Sequence, residues 1–148
     1  MDIRPATLND AADILSWRND PHTRSMFVSS QPVSEVDHLS WLKRILVDPH
    51  RILLIGENAG TKVGICRFDI DPVAGSAEVS INLAPEMRGQ GLSSELLGRS
   101  IEVASRLFRG PLTAKIRQAN RASIRCFEAC GFLFERDDPH FSHYRRPA

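Results

Sequence analysis

The segment from Arg88 to Ser93, with the sequence Arg-Gly-Gln-Gly-Leu-Ser, carries residue types that can bind a phosphate group. It follows an alternating segment and precedes a long amphipathic one, so it is predicted to join a strand to a helix. The first N–H groups of a helix have no intrahelical acceptor and lie at the positive end of its dipole. Because glycine has no Cβ, a ligand can approach these groups closely. The segment therefore predicts a phosphate or pyrophosphate site.

Two common phosphate-binding motifs do not fit this segment. A P-loop requires Lys and then Ser or Thr after its last glycine, whereas Leu92 follows Gly91. A dinucleotide-binding fingerprint requires Gly-x-Gly-x-x-Gly, and Ser94 occupies the position of its third glycine. The pattern that matches is Arg-x-x-Gly-x-(Gly/Ala), with Ser93 in the last small position. A glycine-rich loop without a ligand is the alternative interpretation.

The strand that precedes the loop alternates strictly between polar and apolar side chains. Its polar side chains, which share one face, are Glu78, Ser80 and Asn82. A central strand that is covered by helices on both faces is normally apolar throughout, so this polar row indicates a wet cleft. A half-exposed antiparallel strand with a solvated face would show the same pattern.

A second segment, further along the chain, combines several helix signals. Asn120, Ser123, Ile124 and Phe127 are spaced so that they share one face of a helix. Gly131 stands where the C-terminus of that helix requires a residue with positive φ. Taken by itself, the segment is also consistent with an ordinary amphipathic helix that begins with an Asn N-cap.

Together, the two segments resemble two sequence blocks of the GNAT superfamily of N-acetyltransferases. In that family the first block binds the pyrophosphate of acetyl-CoA, and the Asn of the last block bonds the pantetheine arm. The resemblance implies an α/β fold with a mixed, twisted central sheet flanked by helices, and acetyl-CoA as co-substrate, wedged where two central strands diverge. The cofactor-binding residues that it predicts are Ile81, Asn82, Leu83, Arg88, Gly89, Gln90, Gly91, Leu92, Ser93, Asn120, Ser123 and Phe127.

The N-terminal part of the chain narrows the resemblance. Segments 14–21, 38–41 and 64–69 are similar to the branch that acetylates amino groups on nucleotide-linked deoxyamino sugars. This implies direct acetyl transfer, in a ternary complex, to a small-molecule amine of a nucleotide-activated amino sugar. Three other functions stay open: acetylation of a protein N-terminus, acetylation of a small free amine such as an amino acid or aminoglycoside, and a non-catalytic acyl-CoA-binding module.

Acetyl transfer also requires groups that accept and donate protons, and a placed base or acid adds about 10²–10⁴-fold to the rate. Glu78 is the predicted base, acting through water, with Ser80 as a relay. His22 and His38 are alternatives on the predicted acceptor side, where either one can contact the sugar or act as base. The resemblance implies that residues 81–83, at the end of the predicted strand 76–83, bind pantetheine through their backbone. A backbone N–H there can also polarise the acetyl carbonyl.

The general acid departs from the family pattern. Many members have a Tyr seven residues after the Asn of the last block, but here that residue is Phe127, which has no proton to donate. The chain has one tyrosine, Tyr144, in a predicted closing strand, and we take it as the predicted acid. One alternative is that Tyr144 is a packing aromatic with its hydroxyl at the surface. A second is that water protonates the thiolate, because a thiol with a pKa of about 8.5 is a fair leaving group.

The elements that must position these residues alternate between strands and helices, which predicts one mixed-sheet α/β domain over residues 1–148. The predicted strands are a short one at Ile3 and segments 51–57, 62–70, 76–83, 112–116, 132–136 and 142–145. The predicted helices are 8–18, 92–108, 120–130 and one capped by Ser34. That last helix is expected to bury the stripe Val36, Leu39, Leu42, Ile45 and Leu46.

Between Pro21 and Pro32 the sequence predicts an irregular loop, which includes His22, Arg24, Met26 and Phe27. Arg18 and Arg24 are candidates to pair with a nucleotide diphosphate. Trp17 and Trp41 are expected to be packing residues, although either can stack on a sugar or uracil ring.

Composition excludes several classes of partner. The net charge of +1 gives no reason to expect nucleic acid, and no apolar stretch is long enough to cross a membrane. The chain start lacks the apolar run of a signal peptide, and the three cysteines are expected to be reduced core residues, which favours the cytoplasm. No histidine pair has metal-ligand spacing, so no metal is predicted. The oligomeric state is not determined, and a homodimer stays open.

Overall fold

The structure is a computed structural model that describes residues 1–26 and 31–148, and it contains one seven-stranded sheet. The strands are β1 (Asp2–Pro5), β2 (Arg51–Asn58), β3 (Thr61–Asp71), β4 (Ser76–Leu83), β5 (Leu112–Arg117), β6 (Leu133–Asp137) and β7 (Phe141–Arg146). Their spatial order is β1-β2-β3-β4-β5-β7-β6. All neighbouring pairs are antiparallel except β4 and β5, which are parallel. The predicted mixed-sheet α/β fold is confirmed.

Helices cover the sheet and bury a separate hydrophobic core on each face. The helices are α1 (Ala11–Asn19), α2 (Pro21–Met26), α3 (Glu35–Leu46), α4 (Leu92–Ala104) and α5 (Arg121–Ala129). One core joins α4 and α5 to the sheet through residues such as Leu97 and Phe127. The other joins α1 and α3 to the opposite face through Ile14 and Leu42. No helix among the described residues is both long and apolar enough to cross a membrane.

Strands β4 and β5 are paired at one end only. The parallel register joins Ala77 to Leu112 and Glu78 to Thr113, and no further pair joins the described residues of these two strands. Each strand stays paired on its other side, β4 with β3 as far as Leu83 and β5 with β7 as far as Arg117. The two central strands therefore diverge, as the predicted fold requires.

The segment after Pro21 differs from its prediction as an irregular loop. It forms α2, because proline at the first helical position and an acidic residue before it are both favourable at a helix start. The Thr23 N–H donates to the Asp20 carboxylate at 3.2 Å. Phe27, which was assigned to the same loop, lies outside the described residues.

The buried face of α3 also differs from the predicted stripe. Ser34 caps the helix as expected, and Leu42 and Ile45 are buried, but Val36 is 78% exposed. The inward position is taken by His38, which is 4% exposed and whose Nε2 donates to the Ala11 carbonyl oxygen at 3.0 Å. A polar residue can occupy a buried position when it finds a hydrogen-bond partner there.

Two other predicted helices have different ends. Thr7 and Asp10 form a capping box, and it opens a 3₁₀ turn (Leu8–Asp10), so α1 begins at Ala11 rather than at Leu8. Helix α4 ends at Ala104 rather than at Phe108, because the chain tightens there: the N–H groups of Leu107 and Phe108 both donate to the Ala104 carbonyl oxygen.

Asp10 is a buried charge that ties β1 to the β2–β3 hairpin. Its carboxylate accepts two hydrogen bonds from Arg4, at 2.8 Å each, and pairs with Lys62 at 2.7 Å. These bonds hold the pKa of the Asp10 carboxyl far below its usual range. A depressed folded-state pKa contributes stability above the unfolded pKa of about 3.9, and that stability is lost as the pH falls below it.

We therefore expect Asp10→Asn to lower the free energy of unfolding by about 3 kcal/mol near neutral pH, because it removes the buried carboxylate that Arg4 and Lys62 share. The difference from wild type should shrink as the pH falls below about 4. Urea denaturation across this pH range measures both effects. Asp13→Asn, which removes an exposed carboxylate that also pairs with Lys62, should cost less than about 1 kcal/mol. Equal losses of unfolding free energy in the two variants would contradict the stabilising role that we assign to the buried Asp10 carboxylate.

Candidate active site

A cavity of about 700 Å³ opens where β4 and β5 diverge. It is bounded by these strands, by the loop after β4, by the start of α5 and by helices α1 to α3. The predicted site residues that line it are Glu78, Ser80, Ile81, Asn82, Leu83, Arg88, Ser93, Asn120, Ser123 and Phe127. The structure therefore brings together residues from the polar strand, the glycine-rich loop and the second sequence block.

The glycine-rich loop has the conformation that an anion site at a helix start requires. Gly89 and Gly91 have φ values of 76° and 71°, a region that L side chains rarely adopt. Gly91 is the N-cap residue of α4, and no described side chain caps this helix. A Cβ at either glycine would meet no heavy atom within 4 Å. The start of α4 thus has no side-chain cap among the described residues, which is consistent with the diphosphate site predicted there.

The backbone of β4 offers hydrogen-bonding groups on the side of the gap. The Ala77 N–H donates across to the Pro111 carbonyl oxygen at 3.1 Å, so Ala77 points its backbone groups toward β5. Because this direction alternates along a strand, Ile81 and Leu83 direct their N–H and C=O groups into the gap. Asn82 uses its backbone groups toward β3 instead. Of the three predicted pantetheine-binding positions, two are therefore available through their backbones, and Asn82 is available through its side chain.

The polar row of β4 faces the cavity on the side of α1 to α3. Glu78 is exposed and Ser80 is half-buried, and their cross-strand neighbours on β3 are Asp69 and Arg67. Asp69 pairs with Arg67 at 3.0 Å and with Arg51 at 2.7 Å. The row thus borders a wet cleft, as the alternation predicted, and the roles of Glu78 as base and Ser80 as relay stay predictions.

Positive charge is concentrated beside this row. Arg18 and Arg67 both line the cavity, and burial, followed by the neighbouring charges of Arg67 and Arg24, lowers the pKa of Arg18. The Nε atoms of Arg24 and Arg67 are buried, and neither has a hydrogen-bond partner among the described residues. The Arg67 guanidinium carbon lies 5.7 Å from the centre of the Trp41 ring. Such a cluster attracts an anion.

Arg67 was missed in the sequence. Its signal was the alternation of β3, in which residues 65, 67 and 69 share a face, together with the hairpin register that places Arg67 opposite Ser80. That register could be derived only by extending the pairing from the turn at Asp71–Gly75. The sequence did indicate Arg18, which lines the cavity, and Trp17, which is 4% exposed and packs as expected.

The two candidate histidines both line the cavity. His38 is nearly buried, and its Nε2 proton is bound to the Ala11 carbonyl oxygen. Burial lowers the pKa of His38, so the ring is neutral at neutral pH and only Nδ1 can accept a proton. His22 lies on α2. Either residue can contact an acceptor, as proposed from the sequence.

The second sequence block forms the far wall of the cavity. The Asn120 side-chain oxygen accepts a hydrogen bond from the Ser123 N–H at 3.2 Å, so Asn120 is the N-cap of α5 and keeps its amide N–H₂ group for a ligand. Phe127 is 2% exposed, and its ring meets the Phe132 ring edge-on at 4.9 Å. The wall at Phe127 is therefore apolar.

The structure places Tyr144, the predicted acid, away from the cavity, which argues against that role. Tyr144 is 5% exposed and belongs to the core under α4 and α5, where its ring contacts Phe134. It is not among the described residues that line the cavity. The reason is strand alternation: Tyr144 lies opposite Ala114 on the core face of the sheet, whereas Phe141 of the same strand reaches the cavity. Protonation of the thiolate by water is the alternative that remains.

We expect Tyr144→Phe to keep the wild-type turnover number within about 2-fold at every pH tested, because a catalytic acid would contribute about 10²–10⁴-fold. Steady-state kinetics with acetyl-CoA and a saturating amine measures this. A loss of more than about 10-fold, in a variant with unchanged unfolding, would restore Tyr144 to the mechanism.

Comparisons with known proteins agree with this geometry. Residues 1–133 match the family described as acetyltransferase (GNAT) domain. The L-methionine sulfoximine/L-methionine sulfone acetyltransferase of Salmonella typhimurium is 30% identical over 140 residues, which cover 89% of this chain and 80% of the relative. The L-amino acid N-acyltransferase MnaT of Escherichia coli is 27% identical over 90% of this chain and 80% of its own. The structure of yncA from Salmonella typhimurium, solved with its cofactor acetyl-CoA, superposes with a TM-score of 0.83 at 24% identity, over 99% of this chain and 93% of the other.

Proposed function

Since this chain belongs to the GNAT acetyltransferase family, we propose that it acetylates a small molecule that carries negative charge close to its amine. The protein is an N-acetyltransferase, and acetyl-CoA is its co-substrate. The non-catalytic module is thereby set aside. The observation that carries the proposal about the acceptor is the placement of Arg67 directly opposite Ser80 in the β3–β4 register.

Arg67 pairs with Asp69 through Nη2, but its buried Nε has no hydrogen-bond partner among the described residues, so Arg67 keeps bonding capacity for an anion. A guanidinium binds a carboxylate through two parallel hydrogen bonds. Leaving the buried Nε of Arg67 unpaired costs about 1–3 kcal/mol, and a bound anion would remove that cost. Arg18 adds a second positive charge to the same cavity. An acceptor with only positive charges would instead be repelled by this cluster.

A free L-amino acid is the acceptor class that we favour. Its carboxylate and amine share one carbon, so a carboxylate on Arg67 places the amine near the polar row of β4. Arg67 and Ser80 lie directly opposite each other in the β3–β4 register, and side chains so placed in an antiparallel pair generally have Cβ atoms about 4.5–5.5 Å apart. The two relatives named for methionine sulfoximine, methionine sulfone and L-amino acids support this class.

In the proposed mechanism each group of this chain has a defined task. Acetyl-CoA supplies the thioester that carries the acetyl group. The α4 N-terminus and the backbones of Ile81 and Leu83 hold and orient it, and an N–H from this strand end polarises the carbonyl. Glu78 accepts the amine proton through water, with Ser80 as relay. Bulk water protonates the thiolate, because Phe127 at the usual position cannot.

A nucleotide-activated amino sugar is the second candidate acceptor. The observation in its favour is that positive charge continues along β5. The Lys115 Nζ and the Arg117 guanidinium carbon lie 4.7 Å and 4.9 Å from the centre of the Phe141 ring. All three residues line the cavity. Arginine and lysine can bind a diphosphate, and an aromatic ring can stack on a base. The similarity of the N-terminal segments to the amino-sugar branch supports the same acceptor.

An acceptor screen with acetyl-CoA, which follows the release of free thiol, tests the proposal. Its arms are L-methionine sulfone and other amino acids, the matching amino acid amides, a nucleotide-linked 4-amino sugar, spermidine and a short peptide with a free N-terminus. We expect amine-dependent release with an anionic acceptor and a loss of at least about 10-fold when an amide replaces the carboxylate. Activity with spermidine or the peptide alone would contradict the proposal.

Arg67→Gln should raise the KM for the anionic acceptor by about 10- to 100-fold, because it removes a charge-assisted hydrogen bond of about 1.5–3 kcal/mol. The turnover number should change little, and the KM for the neutral amide analogue should not rise. Arg136→Gln, an exposed arginine on the edge strand β6, is the matched control. A rise in KM that is equal for acid and amide would show that Arg67 acts only on the shape of the site.

A further inference from the structure

The side chain of Arg88, the first residue of the glycine-rich loop, binds the acceptor-side helix α2. Its Nη2 donates to the Asp20 carboxylate and to the Thr23 hydroxyl, at 2.7 Å each. Arg88 is 32% exposed and Asp20 is 20% exposed, while Thr23 is buried. The loop that fits the diphosphate is thus joined to a helix on the other side of the cavity.

Thr23 extends this connection to strand β4. Its hydroxyl accepts from Arg88 and donates to the Asn82 side-chain oxygen at 3.2 Å. A hydroxyl has one proton to donate, so both of its hydrogen bonds have a defined direction. Asn82 belongs to the polar row of β4, beside Ser80. The chain Arg88–Thr23–Asn82 therefore connects the cofactor loop, the acceptor helix and the strand that is proposed to hold the reacting groups.

Asp20 anchors the same helix. Its carboxylate accepts from the Thr23 N–H at 3.2 Å, and its backbone carbonyl accepts from the Arg24 N–H at 2.9 Å. The hydrogen bond from Arg88 holds the pKa of the Asp20 carboxyl below its ordinary value, so the ion pair persists at neutral pH. Helix α2 contributes His22, Thr23 and Met26 to the cavity wall. A shift of Arg88 would move that wall.

From these contacts we infer that Arg88 is a positioning residue that couples acetyl-CoA binding at the loop to the order of the acceptor site under α2. A ligand on the Gly89–Ser93 backbone restrains the residue next to it, and Arg88 passes this restraint to Asp20 and Thr23. Coupling of this kind is reciprocal: each substrate improves the binding of the other by the same factor. The inference rests on the proposed function, because it requires that the acceptor binds against α2.

The decisive variant is Asp20→Asn, which removes the ion pair without touching the loop. We expect its KM for L-methionine sulfone to rise about 10-fold, in line with the loss of a hydrogen bond to a charged group. Its affinity for CoA, measured by calorimetry without acceptor, should stay within about 2-fold of wild type. Arg88→Gln should raise the same KM. The KM of the double variant should not exceed the higher KM of the two single variants, because both substitutions break the same Arg88–Asp20 ion pair.

Amide hydrogen exchange provides a readout that needs no acceptor. Adding CoA to the wild type should slow exchange at residues 23–26 of α2, and this effect should be lost in Asp20→Asn. Asp13→Asn and Arg99→Gln, which each break an exposed ion pair outside the cavity, should behave as wild type. If CoA still slows exchange in Asp20→Asn and its acceptor KM is unchanged, the inference is overturned. If wild type fails to acetylate L-methionine sulfone while the exchange result holds, the proposed amino acid acceptor fails and the coupling stands.

Discussion

Replacing Gly91 by valine is expected to weaken CoA binding by at least about 100-fold, the loss that follows when two hydrogen bonds to a charged diphosphate are prevented. Gly91 has a φ of 71°, and the space where its Cβ would lie is empty. A valine there would occupy the approach to the N–H groups at the start of α4. It would also have to adopt the left-handed conformation at a cost of roughly 1–2 kcal/mol. Calorimetric titration with CoA measures the affinity.

The strain of a positive φ can be separated from the loss of the ligand site with a matched variant. Gly75 lies in the β3–β4 turn with a φ of 72°, and a Cβ there would also meet no heavy atom within 4 Å. Gly75→Val should therefore lose a similar amount of stability and keep its affinity for CoA. Unchanged affinity in a folded Gly91→Val protein would remove the basis for placing the diphosphate at this loop.

Replacing Glu78 by glutamine should lower the turnover number by about 10²–10⁴-fold, the contribution of a placed general base. Glu78 lines the cavity, is exposed to the water through which it is proposed to act, and lies on the same strand face as Ser80. Glutamine keeps the size of the side chain and removes its ability to take a proton. The measurement is the pH dependence of the turnover number with acceptor and acetyl-CoA at saturation.

Glu135→Gln is the control for this substitution, because Glu135 is exposed on the edge strand β6, away from the cavity. It should retain wild-type kinetics. An activity profile of Glu78→Gln that coincided with wild type at all pH values would exclude Glu78 as the base and turn attention to His22 and to Nδ1 of His38. A raised KM for the acceptor with an unchanged turnover number would instead mean that Glu78 binds the acceptor.

The elements that could be predicted are those whose signals are local. The β2–β3 hairpin, strand β4, the start of α4 and the Asn120 cap of α5 all depend on neighbouring residues, and the structure has them where the sequence placed them. The glycine-rich loop could be interpreted in the same way, because positive φ and an open helix start are properties of a few consecutive residues.

Two of the errors concern which face of an element is buried. Helix α3 turns His38 inward rather than Leu39, because a carbonyl on α1 is there to accept its proton. Tyr144 faces the α4–α5 core because β7 pairs with β5 in a register that the sequence does not state. A one-residue change in register would reverse the direction of every side chain on that strand.

By itself, the sequence indicated the family and, α2 apart, the order of strands and helices, and it predicted a backbone site for a diphosphate, because each of these is encoded in spacing over a short stretch of chain. Only the tertiary structure decided that Arg67 lies opposite Ser80, and that Arg88 binds a threonine 65 residues away. The physical reason is that ion pairs and hydrogen bonds form between atoms a few ångströms apart. Which distant residues come that close depends on strand register and helix packing across the whole domain.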